Sequence, residues 1–218
     1  DDLVRIITLL RDPVNGCPWD KVQTHTSIRM NFLEEAYEAV DALDLDDPVL
    51  MCEELGDVLM QVAFHTCMEQ ETGRFTWEQV CDGVCQKLIE RHPNIFGTQP
   101  GYEGITDWDA LKNKEKGRRT LADDLESVPR AMPALMRAAK LQKRAARHGA
   151  ALQGADAAAL ADAAENLQTA QPASAQAEQA VGELLFAAAN LARQAGVDPE
   201  QALQKANEAF CTAAGPVA

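Results

Sequence analysis

Three features of the sequence predict an all-α fold. Alanine is abundant, above all after Arg130, while aromatic residues make up only 5% of the 218 residues; alanine loses no side-chain entropy in a helix, so this composition favours helices over sheets. Helix-length runs alternate with Pro, Gly and capping residues. A stretch of the first half also returns in the second. Gly56-Asp57-Val58-Leu59-Met60 recurs as Gly182-Glu183-Leu184-Leu185-Phe186, and Trp77-Glu78-Gln79-Val80 as Pro199-Glu200-Gln201-Ala202. Such recurrence suggests tandem copies of one helical module.

Taken in order, Leu3 to Leu10 reads as a short amphipathic helix. Arg11 to Asp20 holds two prolines and a glycine and reads as a loop. Ser27 to Leu45 is the next helix, interrupted by Asp46-Asp47-Pro48, where Pro48 suits the first turn of a helix over Val49 to Glu71. Thr76 can cap a helix from Trp77 to Arg91, which His92-Pro93 closes. Gly97 to Asp124 is polar and reads in part as linker, with a short helix over Trp108 to Lys116. A second helical unit spans Pro133 to Phe210, and its Gln- and Ser-rich stretch Gln168 to Ala177 reads as a loop or poorly ordered turn. The expected organisation is therefore a module over 1–97, a linker over 98–127 and a second module over 128–218.

Hydrophobic residues make up 46% of the chain, enough for a real core. The formal net charge of −14 disfavours broad nucleic-acid or anionic-membrane contact. Most of that charge reads as a solubility feature, and triphosphates can still be bound where divalent cations bridge like charges. None of the six cysteines forms a CxxC pair, and Cys81 and Cys85 have no histidine pattern to complete a zinc set. Reduced, buried thiols in a cytoplasmic protein are the expectation. No signal peptide and no membrane-length apolar run is read. The chain opens on Asp1 rather than Met, so a few residues are expected to precede it.

The informative segments are Leu33-Glu34-Glu35-Ala36-Tyr37-Glu38 and Glu53-Glu54-Leu55-Gly56-Asp57. Glu35 and Glu38 share a helix face, as do Glu54 and Asp57 on the next helix. Leu33, Tyr37 and Val40, with Leu55, Val58, Leu59 and Val62, would supply the apolar packing around them. A short connection implies antiparallel packing, which brings four carboxylates between two helices. Left bare they repel, and their pKa values rise; Mg²⁺, an oxygen-seeking octahedral cation, is the simplest remedy. Either pair alone is more often a solvated helix face. Two pairs on consecutive helices with apolar flanks favour a metal site.

These motifs resemble the all-α nucleoside triphosphate pyrophosphohydrolases, and the MazG family in particular. The flanks that carry the resemblance are Asn15-Gly16-Cys17-Pro18-Trp19-Asp20-Lys21 with Gln23-Thr24-His25, then Gly56-Asp57-Val58-Leu59, then Arg91-His92-Pro93-Asn94-Ile95-Phe96-Gly97. Val128-Pro129, Pro133-Ala134-Leu135 and Lys140-Leu141-Gln142-Lys143-Arg144 continue it. The resemblance implies hydrolysis between the α and β phosphorus, releasing the monophosphate and pyrophosphate. It implies Mg²⁺, or Mn²⁺ in its place, on Glu35, Glu38, Glu54 and Asp57, with Glu34 or Glu35 orienting or deprotonating water. Lys87 and Arg91, one turn apart, would grip phosphate oxygens unless they only solvate the surface. Trp19 would stack on the base or pack the loop, and Lys21 would approach the phosphates. His25 has no evident partner and reads as structural. A homodimer with composite sites is implied as well.

The second module departs from the pattern. Ala161 and Asp162 stand where the leading acidic pair belongs, Ala180 replaces the glutamate of the second pair, and Glu183 replaces its aspartate. Ala209 falls where the first module has Lys87. No complete metal site is expected from Asp162, Glu165 and Glu183, which leaves dimerisation or regulation as the role of this half. Two competing functions stand beside the broad hydrolase: a dNTP-selective pyrophosphatase of the dUTP or dCTP kind, and a non-catalytic helical module that binds partners.

Overall fold

The computed structural model describes residues 2–93, 95–97, 111, 113 and 115–215. Among them there are nine α-helices and no strand. Backbone packing divides the chain into two compact units, residues 1–105 and 106–218.

Unit 1 begins with α1 (Asp2–Leu10), followed by a loop with a single 3-10 turn at Asp20–Val22. Helices α2 (Arg29–Leu45) and α3 (Pro48–Glu71) form a hairpin, and α4 (Trp77–Arg91) follows. Local chemistry sets these boundaries. Asp46 ends α2 in the left-handed region at φ 53°, which a short acidic side chain tolerates. Asp47 then caps α3 by accepting from the backbone N–H groups of Val49 and Leu50, with Pro48 in the first turn. Thr76 and Gln79 form a reciprocal capping box at the start of α4.

The core of unit 1 gathers Ile7 from α1, Ile28 before α2, and Ala63, Phe64, Cys67 and Met68 from α3, with Trp77 packed against it. The α2–α3 hairpin closes differently. Its buried α2 residues are Ala39 and Ala42, the latter 0% exposed. Tyr37, Val40, Leu55 and Leu59, expected to pack around the acidic pairs, are each about half exposed in the single chain. Alanine takes the close-contact positions, so the larger apolar side chains splay outward beside the seam.

Unit 2 contains α5 (Leu121–Glu126), α6 (Ala134–Arg147), α7 (Ala157–Thr169), α8 (Ala175–Gln194) and α9 (Pro199–Ala214). Helix α5 starts inside the segment read as polar linker, and its capping box joins Thr120 to Asp123. Most of the helix expected over Trp108–Lys116 lies outside the described residues; Leu111, Asn113 and Glu115 within it are helical. The stretch Gln168–Ala177 is half helix ends and half a five-residue connection over 170–174. It finishes α7 and opens α8, which Ser174 caps through its hydroxyl, leaving a short connection.

The core of unit 2 is built from small residues: Ala145, Ala155, Ala163, Ala180, Ala187 and Ala189, with Val128. Polar groups are buried among them. Gln142 donates to the Phe186 carbonyl at 2.7 Å and Asn190 to the Ala155 carbonyl at 2.6 Å. Asp124, 1% exposed, lies 3.0 Å from Arg144 Nη1 and accepts from Arg147 and His148 at 3.0 and 3.1 Å. Burial alone would raise the pKa of Asp124. Hydrogen bonds from Asn113, Arg147 and His148 and the Arg144 charge outweigh it and hold the carboxyl below its usual range.

All six cysteines are free thiols, but only Cys67 is buried, so the expectation of buried thiols fails for the other five. Among the described residues no helix is long and apolar enough to cross a membrane.

Candidate active site

The α2–α3 hairpin positions the acidic residues. Glu35 meets Gln61 and Glu38 meets Glu54, so a forward step along α2 is a backward step along α3. This is the antiparallel register that the two-residue connection predicts. One carboxylate oxygen from each of Glu35, Glu38 and Glu54 falls within 4.8 Å of the others, close enough for a single small cation to touch all three. Asp57 stands outside that trio but acts on it electrostatically, since its charge raises the pKa of both Glu35 and Glu54.

Glu35 titrates above the usual carboxylate range. Partial burial is the main cause and Asp57 the next, with the Gln61 amide partly offsetting them. Glu54 is raised too, by desolvation first and then by Glu38, Glu53 and Asp57. Repulsion of this kind is what a bound cation relieves, and the oxygen-only donor set suits Mg²⁺ or Mn²⁺. Glu34 is exposed on α2, and its charge adds to the upward shift of Glu35.

Gln61 was not read from the sequence as a site residue. It lies one turn beyond Asp57, is 7% exposed, and donates from Nε2 to Glu35 Oε1 at 3.4 Å. Its own Oε1 is buried without a hydrogen-bond partner among the described residues. A polar side chain one helical turn past an ExxD pair is the signal that could have found it.

The remaining candidates lie on neighbouring elements. Trp19 is 55% exposed, and its carbonyl accepts from Gln23. The Lys21 ammonium reaches the Pro13 carbonyl at 3.5 Å, and its side chain makes no other polar contact among the described residues. Lys87 is exposed on α4, and Arg91 is half-buried in its last turn. The structure gathers the carboxylates, and among the described residues Trp19, Lys21 and Lys87 form no hydrogen bond or ion pair with Glu35, Glu38 or Glu54.

The loop carrying Trp19 and Lys21 is pinned from below. Arg11 spans Glu71 with two bonds of 2.6 and 2.8 Å, donates to the carbonyls of Asp20 and Gln23, and stacks 5.3 Å from the Phe64 ring. Glu71 raises the Arg11 pKa further. Gly16 is required at its position: a Cβ there would sit 2.4 Å from the Asp12 carbonyl oxygen and 2.5 Å from that of Leu10.

His25 gains the partner that the sequence did not offer. Its Nδ1 lies 2.7 Å from Nδ1 of His65, with the rings stacked at 5.0 Å, and its Nε2 closely approaches Glu69 at 2.5 Å without hydrogen-bond alignment. Burial, then the neighbouring His25, lowers the pKa of His65, against the pull of Glu69. Glu69 is also bound by Arg74 at 2.6 and 2.7 Å. An apolar cleft lined by Phe32, Val62, Phe75 and Val80 opens beside the imidazole pair.

With this geometry in place, the comparisons with known proteins are direct. The MazG nucleotide pyrophosphohydrolase domain matches residues 23–96, the segment that contains every carboxylate of the site. A nucleoside triphosphate pyrophosphohydrolase of Escherichia coli K12 is 41% identical over 219 residues, covering 96% of this chain and 83% of the relative. The MazG nucleoside triphosphate pyrophosphohydrolase of Thermotoga maritima is 39% identical over 212 residues, covering 96% and 82%. A nucleoside triphosphate pyrophosphohydrolase of Mycobacterium tuberculosis is 35% identical over 151 residues, covering 67% of this chain and 46% of the relative. Similarity of this depth, along nearly the whole chain and through the acidic hairpin, places the protein in the MazG family of nucleotide pyrophosphohydrolases, hydrolases of phosphoanhydrides.

Proposed function

We propose that this chain hydrolyses nucleoside triphosphates to the monophosphate and pyrophosphate at the carboxylate cluster of unit 1, with Mg²⁺ as the resident ion. The observation that carries this reading is the approach of Glu35, Glu38 and Glu54 within 4.8 Å across the α2–α3 seam. Glu35, Glu38, Glu54 and Asp57 hold the ion, which when bound polarises phosphate oxygens and lowers the pKa of coordinated water. Gln61 orients Glu35 through its amide. Glu34, exposed beside that pair, accepts the proton from the attacking water. Lys87 and Arg91 on α4 bind phosphate oxygens, Lys21 assists, and Trp19 offers a face for the base.

Dimerisation through the α2–α3 face belongs to the same reading. Tyr37, Val40, Leu55 and Leu59 leave an apolar surface open beside the carboxylates, and a second copy of this chain would cover it. We read unit 2 as a tandem duplicate of unit 1 on the recurrence in the sequence, one that offers only Asp162, Glu165 and Glu183 where the acids should lie. The cleft at that place is lined by Asp162, Glu183, Asn166 and Phe186.

The test is a panel of ribo- and deoxyribonucleoside triphosphates with and without Mg²⁺, products being separated by anion exchange. Pyrophosphate release that requires the metal is expected. Activity confined to one deoxynucleotide would narrow the reading, and no pyrophosphate from any substrate would overturn it.

A further inference from the structure

Unit 2 contains a second cavity that shares no residue with the acid-poor cleft just described. It is lined from α6 by Met136, Lys140, Lys143 and Arg144, from the end of α8 by Arg193, and by Gly196, Val197 and Asp198 of the connection with Pro199 at the start of α9. Four cationic side chains in one cavity are unexpected in a chain with a formal charge of −14. We propose that this cavity binds a phosphorylated small molecule with an apolar or ring-shaped body, of the nucleoside phosphate class, without a metal ion.

Two of the cations are built into place. Arg144 is 7% exposed, held by the Asp124 carboxylate, the Asp124 carbonyl and the Ser127 hydroxyl, and retains a buried Nε with no hydrogen-bond partner. Arg193 donates from Nε and Nη2 to Asn190 Oδ1 at 3.0 and 2.8 Å. Asn190 is itself 2% exposed and anchored on the Ala155 carbonyl. A guanidinium fixed by a neutral amide keeps its full charge and has already lost its rotamer freedom, which favours anion binding. The other two, Lys140 and Lys143, are exposed and have no hydrogen-bond or ion-pair partner among the described residues. They lie one turn apart on α6 and share its face with Met136.

The carboxylates nearby reduce this charge without abolishing it. Asp198 lines the cavity, but its Oδ1 accepts from the backbone N–H groups of Glu200 and Gln201 as the cap of α9. Asp124 pairs with Arg144, Arg147 and His148 and so offsets the charge of Arg144, and Glu200 Oε2 accepts from the Met136 backbone N–H at 3.2 Å; Lys140, Lys143 and Arg193 carry the positive charge that remains. The remaining wall is Met132, Met136, Ala139 and Val197, in which the adaptable methionines suit a flat apolar body. Charge at one side and apolar surface at the other match a ligand with phosphate at one end and a ring at the other.

Metal independence separates this site from the carboxylate cluster, which needs a cation before phosphate can approach. The experiment is calorimetric titration of the full chain in EDTA with adenosine monophosphate, a non-hydrolysable nucleoside triphosphate and inorganic pyrophosphate. The variants are Lys140→Ala/Lys143→Ala and Lys140→Arg/Lys143→Arg, with Glu54→Gln/Asp57→Asn to disable the acidic site. A nucleotide should bind in EDTA to wild type and to Glu54→Gln/Asp57→Asn alike. Affinity should fall at least about tenfold in the alanine pair, equivalent to about 1.4 kcal/mol, and be retained in the arginine pair. Both lysines are exposed, so an unchanged melting temperature checks the fold. The proposal is overturned if no probe binds in EDTA, if binding ignores the loss of both lysines, or if pyrophosphate binds as tightly as every nucleotide.

Discussion

The two units use the same helical grammar with opposite chemistry. In unit 1 an antiparallel hairpin presents Glu35, Glu38 and Glu54 across its seam, over a core of Ile7, Ile28, Phe64 and Met68. In unit 2 the hairpin of α7 and α8 carries Ala161 and Ala180 at the corresponding places, over a core of alanines with Asp124, Gln142 and Asn190 buried among them. Carboxylates held close together oppose folding, so they persist only where something else rewards them. Among the described residues unit 2 brings no three such groups together. Its small apolar side chains bury little area each, which leaves a buried ionic network to fix how α5 meets α6.

The comparison breaks most sharply at the acids. Glu54→Ala/Asp57→Ala should reduce turnover to the uncatalysed background, whereas Asp162→Ala/Glu165→Ala/Glu183→Ala should leave it within about twofold, since distant surface changes are close to neutral. Steady-state pyrophosphate release from both variants decides it, and equal losses would end the distinction between the units. The next largest effect is on stability. Asp124→Ala strands the buried charge of Arg144 and should cost about 3–5 kcal/mol in urea unfolding. Acidification should weaken the same network: a carboxyl held below its usual pKa contributes stability above the ordinary value of 3.8, and loses it as pH falls through the depressed one.

A smaller loss is expected from Gly16→Ala, about 1–3 kcal/mol, because the new Cβ meets backbone carbonyls rather than a side chain that could move. Thermal unfolding reads it directly. The smallest effect sharpens the account of the cluster. Glu35 and Glu54 have raised pKa values, so the folded chain without metal holds more protons than the unfolded chain just above pH 4.5. Its stability therefore falls as pH rises through that window. The increase in melting temperature produced by Mg²⁺ should be small below pH 4.5 and grow toward neutrality; an increase independent of pH would show that the ion binds elsewhere.

What the sequence disclosed and what it hid follow the reach of each signal. Asp47-Pro48 and Thr76 with Gln79 act within one turn, so the starts of α3 and α4 were readable. The spacing of Glu35 to Glu38 and of Glu54 to Asp57 was readable for the same reason, and a two-residue connection fixed the register between them. Gln61 with Glu35, Arg11 with Glu71 and His25 with His65 are separated by 26, 60 and 40 residues. Nothing in a single sequence links the last two pairs, while Gln61 carried only the weaker signal of its place one turn past Asp57. Helix α5 was missed because six residues are too few for periodicity to emerge, although Thr120 and Asp123 carried a capping signal of the kind credited at Thr76. The outward face of Tyr37 and Leu59 was misjudged because apolar character marks a surface to be covered without saying by what.

Ala39 and Ala42 have a consequence beyond filling the seam. Two methyl-sized side chains set how near the axes of α2 and α3 lie, and that separation fixes the bite of any oxygen pair bridging the helices. Magnesium demands about 2.0–2.1 Å to each oxygen and calcium about 2.3–2.6 Å. Discrimination between ions of different radius would thus be governed by two uncharged residues that never touch the ion, and a valine at either position would act as a shim that widens the jaws.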